Sequence, residues 1–294
     1  MQVRKIYLRL FDVDFDENLK HSIPIAPVRI QGTDTGFEYV PVIFITQKAL
    51  ISLNDTAILQ LVQNICGSAN QLCNQAGIVP HELQIDCDWT AGTKNKYFTL
   101  LRLLREHPFM KSKTLSCTIR MNQVKYQKYN GIPPADRGLV MVYGMGNLKT
   151  PGARNSILDA AEAEDYLKHL RHYPIPADIA FPLFEWCVLF RDQQFRGILH
   201  DVTTTEIKKS AFFRQKENNL YTCLQDTTWH GYKLRANDIV RLEAPLYNDI
   251  LSIAKYSSQQ INNTDVNVIL FACDSITLKK YSSNEIETIY NSLH

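Results

Sequence analysis

Asp86 and Asp88 stand two residues apart in the segment Glu82-Leu83-Gln84-Ile85-Asp86-Cys87-Asp88-Trp89. Read as a strand, the segment sorts by parity: Leu83, Ile85, Cys87 and Trp89 take one face, and Gln84, Asp86 and Asp88 the other. Two neighbouring carboxyls suit acid chemistry. A like charge beside a partly buried carboxyl raises its pKa towards neutrality, where it can still deliver a proton. Asp86 and Asp88 are the candidate acid couple. Glu185 is the candidate for a second carboxylate where a reaction needs one. Its competing reading is an ion pair with Arg191 or a place on the rim.

The same parity recurs elsewhere. In Thr114 to Asn122, Ser116, Thr118, Arg120 and Asn122 share one face, and Cys117, Ile119 and Met121 the other. The first strand sets Tyr7, Arg9 and Phe11 opposite Ile6, Leu8 and Leu10. Polar faces turned inward would gather Arg9, Gln84, Asp86, Asp88, Arg120 and Asn122. Buried charges need partners, and two arginines facing two aspartates supply them. A purely structural network is the competing reading. Position favours a site, because Asp88, Asn122, Tyr143 and Glu185 all fall at the C-terminal ends of predicted strands, the catalytic face of a parallel barrel. Asp12, Asp14 and Asp274 end strands too, and either line that face or turn the chain.

The elements that would position these groups alternate. Strands are expected at 5–12, 40–46, 82–88, 114–122, 138–143, 178–184 and 266–272. Helices are expected at 54–75, 97–106, 156–172, 245–256 and 283–293. Alternation predicts a parallel α/β sheet. Strand number, and the lack of a Gly-rich dinucleotide fingerprint after the first strand, favour a (β/α)8 TIM-type barrel over an open sheet. A hairpin around His230-Gly231, within Leu220 to Glu243, reads as an insertion near the seventh strand. Without repeats or linkers, residues 1–294 read as one domain.

Composition is that of an ordinary globular protein: 294 residues, 45% hydrophobic, 21% charged, net charge +2. Nothing in that balance draws the chain to nucleic acid. No apolar run is long enough to span a bilayer. Met1 to Tyr7 leads straight into a strand pattern with no signal-peptide region, which suits the cytoplasm as written and a secreted or lipid-anchored protein if a leader precedes it. The seven cysteines form no C-x-x-C pair, and most lie in apolar runs, which argues for free thiols and against a zinc site. No metal or cofactor is expected. Trp89, Trp186 and Trp229 are either sugar-stacking platforms or core residues, with Trp186 the best placed. Gly144-Met145-Gly146-Asn147 is either a phosphate cradle or a tight turn, and the turn is the simpler reading. His200-Asp201 and His230 lack metal-ligand spacing.

His81-Glu82-Leu83-Gln84-Ile85-Asp86-Cys87-Asp88 resembles the D-G-x-D-x-D-x-E strand of family-18 chitinase-like glycoside hydrolases. Asp86 falls on the last Asp of that motif and Asp88 on its catalytic Glu. Val140-Met141-Val142-Tyr143 resembles the later M-x-Y strand, whose Tyr contacts the sugar acetamido group. Ala180-Phe181-Pro182-Leu183-Phe184 resembles the strand that follows, with its Leu-Pro-type element. These matches cover about three strands. The departures are specific: His81 and Gln84 replace the first two acids, Glu82 replaces a Gly, and Asp88 is one methylene shorter than Glu. The whole chain is more similar to a bacterial family of glycoside-hydrolase-like TIM barrels, often secreted or lipid-anchored. The resemblance implies the barrel fold and a carbohydrate partner. Parity, strand-end position and aromatic character make Arg120, Asn122, Trp186, Trp89 and Asp12 the candidate sugar contacts. The expected function is hydrolysis of an oligo- or polysaccharide. The alternatives are a non-catalytic carbohydrate-binding barrel and, third, a sugar-phosphate or phosphate-ester enzyme using the Gly144 loop.

Overall fold

The computed structural model describes residues 3–152 and 154–293. The chain divides into two compact units. The first comprises Met1–Met141, His169–Asp178 and Asn262–Val266, and the second Val142–Lys168, Ile179–Ile261 and Asn267–His294.

In the first unit the predicted strands form a parallel series. β1 (Lys5–Asp16) pairs with β3 (Glu38–Ile45), β3 with β4 (Glu82–Asp86), β4 with β5 (Thr114–Arg120), and β5 with β6 (Arg137–Met141). β2 (His21–Ile25) folds back antiparallel along Asp12–Asp16 on the outer edge of β1.

Helices α1 (Gln47–Ser52) and α2 (Asp55–Ala76) connect β3 to β4. The Asn54 side chain accepts from Ala57 N–H to start α2, and Gly77 ends it in the left-handed conformation at φ 67°. Between them Ile58, Leu61, Val62, Ile65, Ala69 and Cys73 recur at helical spacing and are buried. α3 (Lys94–Glu106) buries Tyr97, Leu100, Leu101 and Leu104, and stops two residues before Pro108. α4 (Met121–Lys125) and α5 (Gln127–Asn130) follow β5 at once.

β7 (Ala177–Pro182) starts in the first unit and continues in the second, where Ile179–Pro182 pairs in parallel with β15 (Val268–Phe271). Between these strands the second unit holds a separate antiparallel sheet. It is built from β8 (Trp186–Arg191), β9 (Gln194–Leu199), β10 (Phe213–Glu217), β11 (Leu220–Cys223) and β14 (Ile239–Glu243), in the order β10-β11-β14-β8-β9. Cys187, Leu199, Ile207, Phe213 and Val240 are among its own core residues. Helices α6 (Ala160–Leu167), α7 (Thr204–Lys209), α8 (Tyr247–Ser258), α9 (Ser275–Leu278) and α10 (Ser283–Asn291) complete the unit.

The expected single hairpin is therefore only the tip of a larger insertion. β12 (Thr227–Trp229) and β13 (Tyr232–Leu234) do turn at His230-Gly231. The β8–β9 turn escapes sequence reading because Asp192 and Gln193, at φ 52° and 62°, make a two-residue turn that usually carries Asn-Gly. Several strands also end sooner than expected: β4 at Asp86, β5 at Arg120, β6 at Met141 and β7 at Pro182. The helix expected over 156–172 is confined to α6, with a single 3-10 turn at Leu170–His172. All seven predicted strands are present and every ladder described between them is parallel.

The polar face of the first unit is stitched together at its N-terminal end. Glu82, 2% exposed, accepts from Ser116 Oγ at 2.5 Å and lies 3.3 Å from Lys5 Nζ. Arg137 grips the buried Asp178 with two bonds, Nε to Oδ2 at 3.0 Å and Nη2 to Oδ1 at 2.6 Å. A third branch, Nη1, reaches Asp265 at 3.0 Å. A bidentate guanidinium on a buried carboxylate is costly to remove, because the carboxylate's desolvation stays unpaid. Arg137→Ala should therefore destabilise the protein by roughly 3–5 kcal/mol. Urea unfolding would show this as a lower midpoint, and Arg137→Lys, which keeps the charge and loses the fork, should recover only part of it.

Candidate active site

The described carboxylate groups separate by what holds them. Asp86 is the last residue of β4, and its Oδ1 accepts from Thr118 Oγ1 at 2.7 Å. The same hydroxyl oxygen accepts from Cys87 N–H at 3.2 Å, so one threonine of β5 fixes both the side chain and the backbone just past it. Burial pushes the Asp86 carboxyl above the usual aspartate range, against the opposing pull of the Thr118 hydrogen bond, and the nearby Asp88 charge adds to the rise.

Asp88 lies beyond the strand. Trp89 N–H donates to Cys87 O at 3.0 Å, closing a three-residue turn with Asp88 at its apex. From there the half-exposed carboxylate accepts from Arg120 Nη1 at 2.9 Å. Gln123 locks the two loops. Its Oε1 takes Arg120 N–H at 2.8 Å, and its Nε2 donates to Trp89 O at 2.8 Å. Gln123 is fully buried and is a positioning residue that strand parity overlooked, since it lies in α4 rather than on β5.

Arg9 and Asp12 meet although three residues apart. The register of β1 against β3 slips between Arg9 and Phe11, and that bulge inverts parity, so Asp12 joins Arg9 on the face that also carries Phe44 and Asp86. The pair is bidentate at 2.6 and 2.7 Å, with the guanidinium 4.5 Å from the centre of the Phe44 ring. Arg9 thus pairs with Asp12 rather than with Asp86, and it is more than half exposed.

Other expected site residues hold different places. Asn122 falls in α4, exposed, with its carbonyl accepting from Tyr126 N–H. Trp89 is 2% exposed, stacks on Tyr97 and donates its indole N–H to Asn130 O, so no ring face remains for a sugar. Glu185 lies past β7. Its carboxylate accepts from Thr204 N–H and Oγ1, both at 2.9 Å, and pairs with Lys280 at 2.9 Å. That carboxylate fastens the start of α7, and Arg191 pairs instead with Asp238. Asp14 accepts from Thr46, and Asp274 caps α9; both shape turns. The Gly146 N–H donates to the Glu162 carboxylate at 3.3 Å, which leaves a negative group where a phosphate would have to sit.

The second unit carries an aromatic group of its own. Tyr143 stacks on Phe271 with ring centres 5.5 Å apart, and Phe184 packs edge-on against both. Phe271 is 48% exposed. Trp186 leans on Phe184 and is tied by its indole N–H to Glu243 at 2.6 Å. Glu243 is a buried hub, also accepting from Ser156 N–H and Oγ. Phe271 is not singled out by the sequence because it looks like the apolar end of a strand run.

No protein-family model and no curated protein sequence matches the chain. Its fold does match solved structures. A chitinase from Chromobacterium violaceum ATCC 12472 is 11% identical with a TM-score of 0.59, over 99% of this chain and 92% of that one. The chitinase RmChi1 from Rhizomucor miehei is 9% identical with a TM-score of 0.52, over 99% and 94%. The spore cortex-lytic enzyme SleL of Bacillus megaterium QM B1551 is 10% identical with a TM-score of 0.58, over 99% and 67%. The fold shared with these structures is the (β/α)8 barrel.

Burial of Asp86 has a consequence for stability. Its folded pKa is raised, so the folded state holds the proton more tightly than the unfolded chain. The stability this contributes is present in acid and is lost as pH rises through the folded pKa. Asp86→Asn keeps an acceptor for Thr118 and removes the ionisation. It should therefore flatten the fall in thermal midpoint between acid and neutral pH, and leave the protein at least as stable at pH 7. A variant that melts lower at pH 7 would mean that an ionised Asp86 carries favourable pairing.

Proposed function

We propose that the chain acts on a saccharide, with Asp86 and Asp88 as the acid couple that works on a glycosidic bond. The observation that carries this is the arrangement at the C-terminal end of β4. A carboxyl pushed towards its neutral form stands two residues from a half-exposed one, each fixed by its own partner from β5. Glycosidic cleavage needs such a proton donor. Asp86 is the member that burial favours as the protonated reservoir. Asp88, at the apex of its turn, is the member presented to a leaving-group oxygen.

Of two hydrolytic schemes, the one in which the sugar's acetamido oxygen is the nucleophile fits better. A scheme with a protein nucleophile requires a second carboxylate, and Glu185 is committed to Thr204 and Lys280. Within the second unit taken by itself, the half-exposed ring of Phe271 stacked on Tyr143 is the kind of surface a sugar ring covers. The protein folds similar to this one include chitinases, which favours N-acetylated substrates.

A second reading, a carbohydrate-binding barrel without turnover, is favoured by one observation: an oxygen of Asp88 is already occupied by Arg120. The Asp88 variant separates the two. Asp88→Asn preserves the hydrogen bonding and cannot deliver a proton, and general acid catalysis contributes ~10²–10⁴-fold. Release of reducing ends from N-acetylglucosamine oligomers should fall by that factor while calorimetric affinity stays within a few-fold. Binding without turnover by the unsubstituted protein would establish the second reading. Turnover that survives in Asp88→Asn would remove Asp88 from the role of acid.

A further inference from the structure

Arg120 and Arg9 are more than this chemistry requires. A neutral sugar needs hydroxyl and amide partners, which uncharged side chains supply. Here the carboxylates on either side of Asp86 are each met by a guanidinium. Arg120 Nη1 lies 2.9 Å from Asp88 Oδ2, and Arg9 holds Asp12 with two bonds. Arg9 covers the ring of Phe44, the register neighbour of Asp86, and Arg120 meets Asp88 two residues beyond Asp86, which sets the two arginines about one strand end. Both are accessible, with side-chain exposures of 40% for Arg120 and 55% for Arg9.

The Asp88–Arg120 pair is also at odds with the proposed task of Asp88, because the guanidinium sits 2.9 Å from Asp88 Oδ2, an oxygen that a leaving group would have to reach. Asp88 is freed for that task when Arg120 takes another partner. A neutral substrate offers Arg120 only hydroxyl and carbonyl oxygens, weaker acceptors than the carboxylate it would leave. A substrate anion offers a match: carboxylates and similar groups take guanidinium in the same forked geometry that Asp12 gives Arg9. Arg120 is rooted for such a turn of partner. Its backbone N–H is held by Gln123 Oε1 at 2.8 Å, so an exchange of partners at the guanidinium leaves the loop fixed.

We infer that the substrate is an anionic glycan, an acetamido-bearing saccharide with a carboxylate on a neighbouring sugar, and that Arg120 is the specificity-determining residue that leaves Asp88 to bind that carboxylate. This rests on the saccharide reading above and narrows it.

The experiment is calorimetric binding of the full chain to three tetrasaccharides: alternating glucuronate and N-acetylglucosamine, the methyl ester of that same molecule, and the neutral N-acetylglucosamine tetramer. The expected result is that the free acid binds roughly 10-fold or more tighter than its ester, the size of a charge-assisted hydrogen bond, with the margin shrinking as salt is added. Arg120→Gln should abolish the margin, and Arg120→Lys should retain part of it, with circular dichroism melts showing that both variants fold. Arg9→Gln should reduce the margin less, since Arg9 stays engaged with Asp12. The inference is overturned if the ester or the neutral tetramer binds as tightly as the acid, or if the margin survives in Arg120→Gln. In both cases the saccharide reading stands. If none of the three tetrasaccharides binds, the saccharide reading falls, and this inference falls with it.

Discussion

Every charge that β4 turns to its polar face has to be answered from β5, and the site follows from how that is done. Parallel register sets Gln84 beside Ser116 and Ile85 beside Cys117. Ser116 answers Glu82 from one step up, Thr118 answers Asp86, and Arg120 answers Asp88. The partners grade from hydroxyl to guanidinium along the strand. Exposure grades with them, from the buried Glu82 to the half-exposed Asp88. A buried carboxylate must be paired or become neutral. Glu82 has Lys5 and Ser116 and is paired. Asp86 has a hydroxyl and a distant guanidinium on each side, and it is the one driven towards neutrality. The chemistry of the site is thus a by-product of which strand position received a threonine in place of a cation.

This grading was legible in the sequence as far as the strands run. Parity alone put Gln84, Asp86, Arg9 and Arg120 on one face, and helical spacing alone marked α2 and α3. Parity fails where backbone geometry changes. The bulge in β1 brings Asp12 to the face of Arg9, and no residue type near Leu10 announces it. The turn at Asp88 and the helix starting at Met121 remove Asp88 and Asn122 from the strand pattern. Asp88 still reaches Arg120, because a turn apex projects its side chain outward. Asn122 does not share this, because it is already in the following helix.

Carboxylates at strand ends were over-nominated for a physical reason. The same loops that carry catalytic groups begin helices, and helix starts need acceptors for their free N–H groups. Asp274 and Asp159 accept from the first turns of α9 and α6, and Glu185 accepts from Thr204 at the start of α7. Sequence position cannot separate such an acceptor from a catalytic carboxylate; only the list of donors around each oxygen does. Trp89 erred in the opposite direction. Its indole N–H found a backbone carbonyl, which let a large ring be buried completely.

With one methylene fewer than Glu, Asp88 reaches less far from its backbone. The turn from Cys87 to Trp89 compensates by moving the backbone itself outward from the end of β4. That turn is held from three sides: Thr118 takes Cys87 N–H, Gln123 donates to Trp89 O, and the Trp89 ring is buried against Tyr97. The buried ring of Trp89 and the amide of Gln123 thus hold the turn that carries Asp88. Either residue, changed to Ala, should disturb the Asp88–Arg120 geometry before it disturbs the strands beneath.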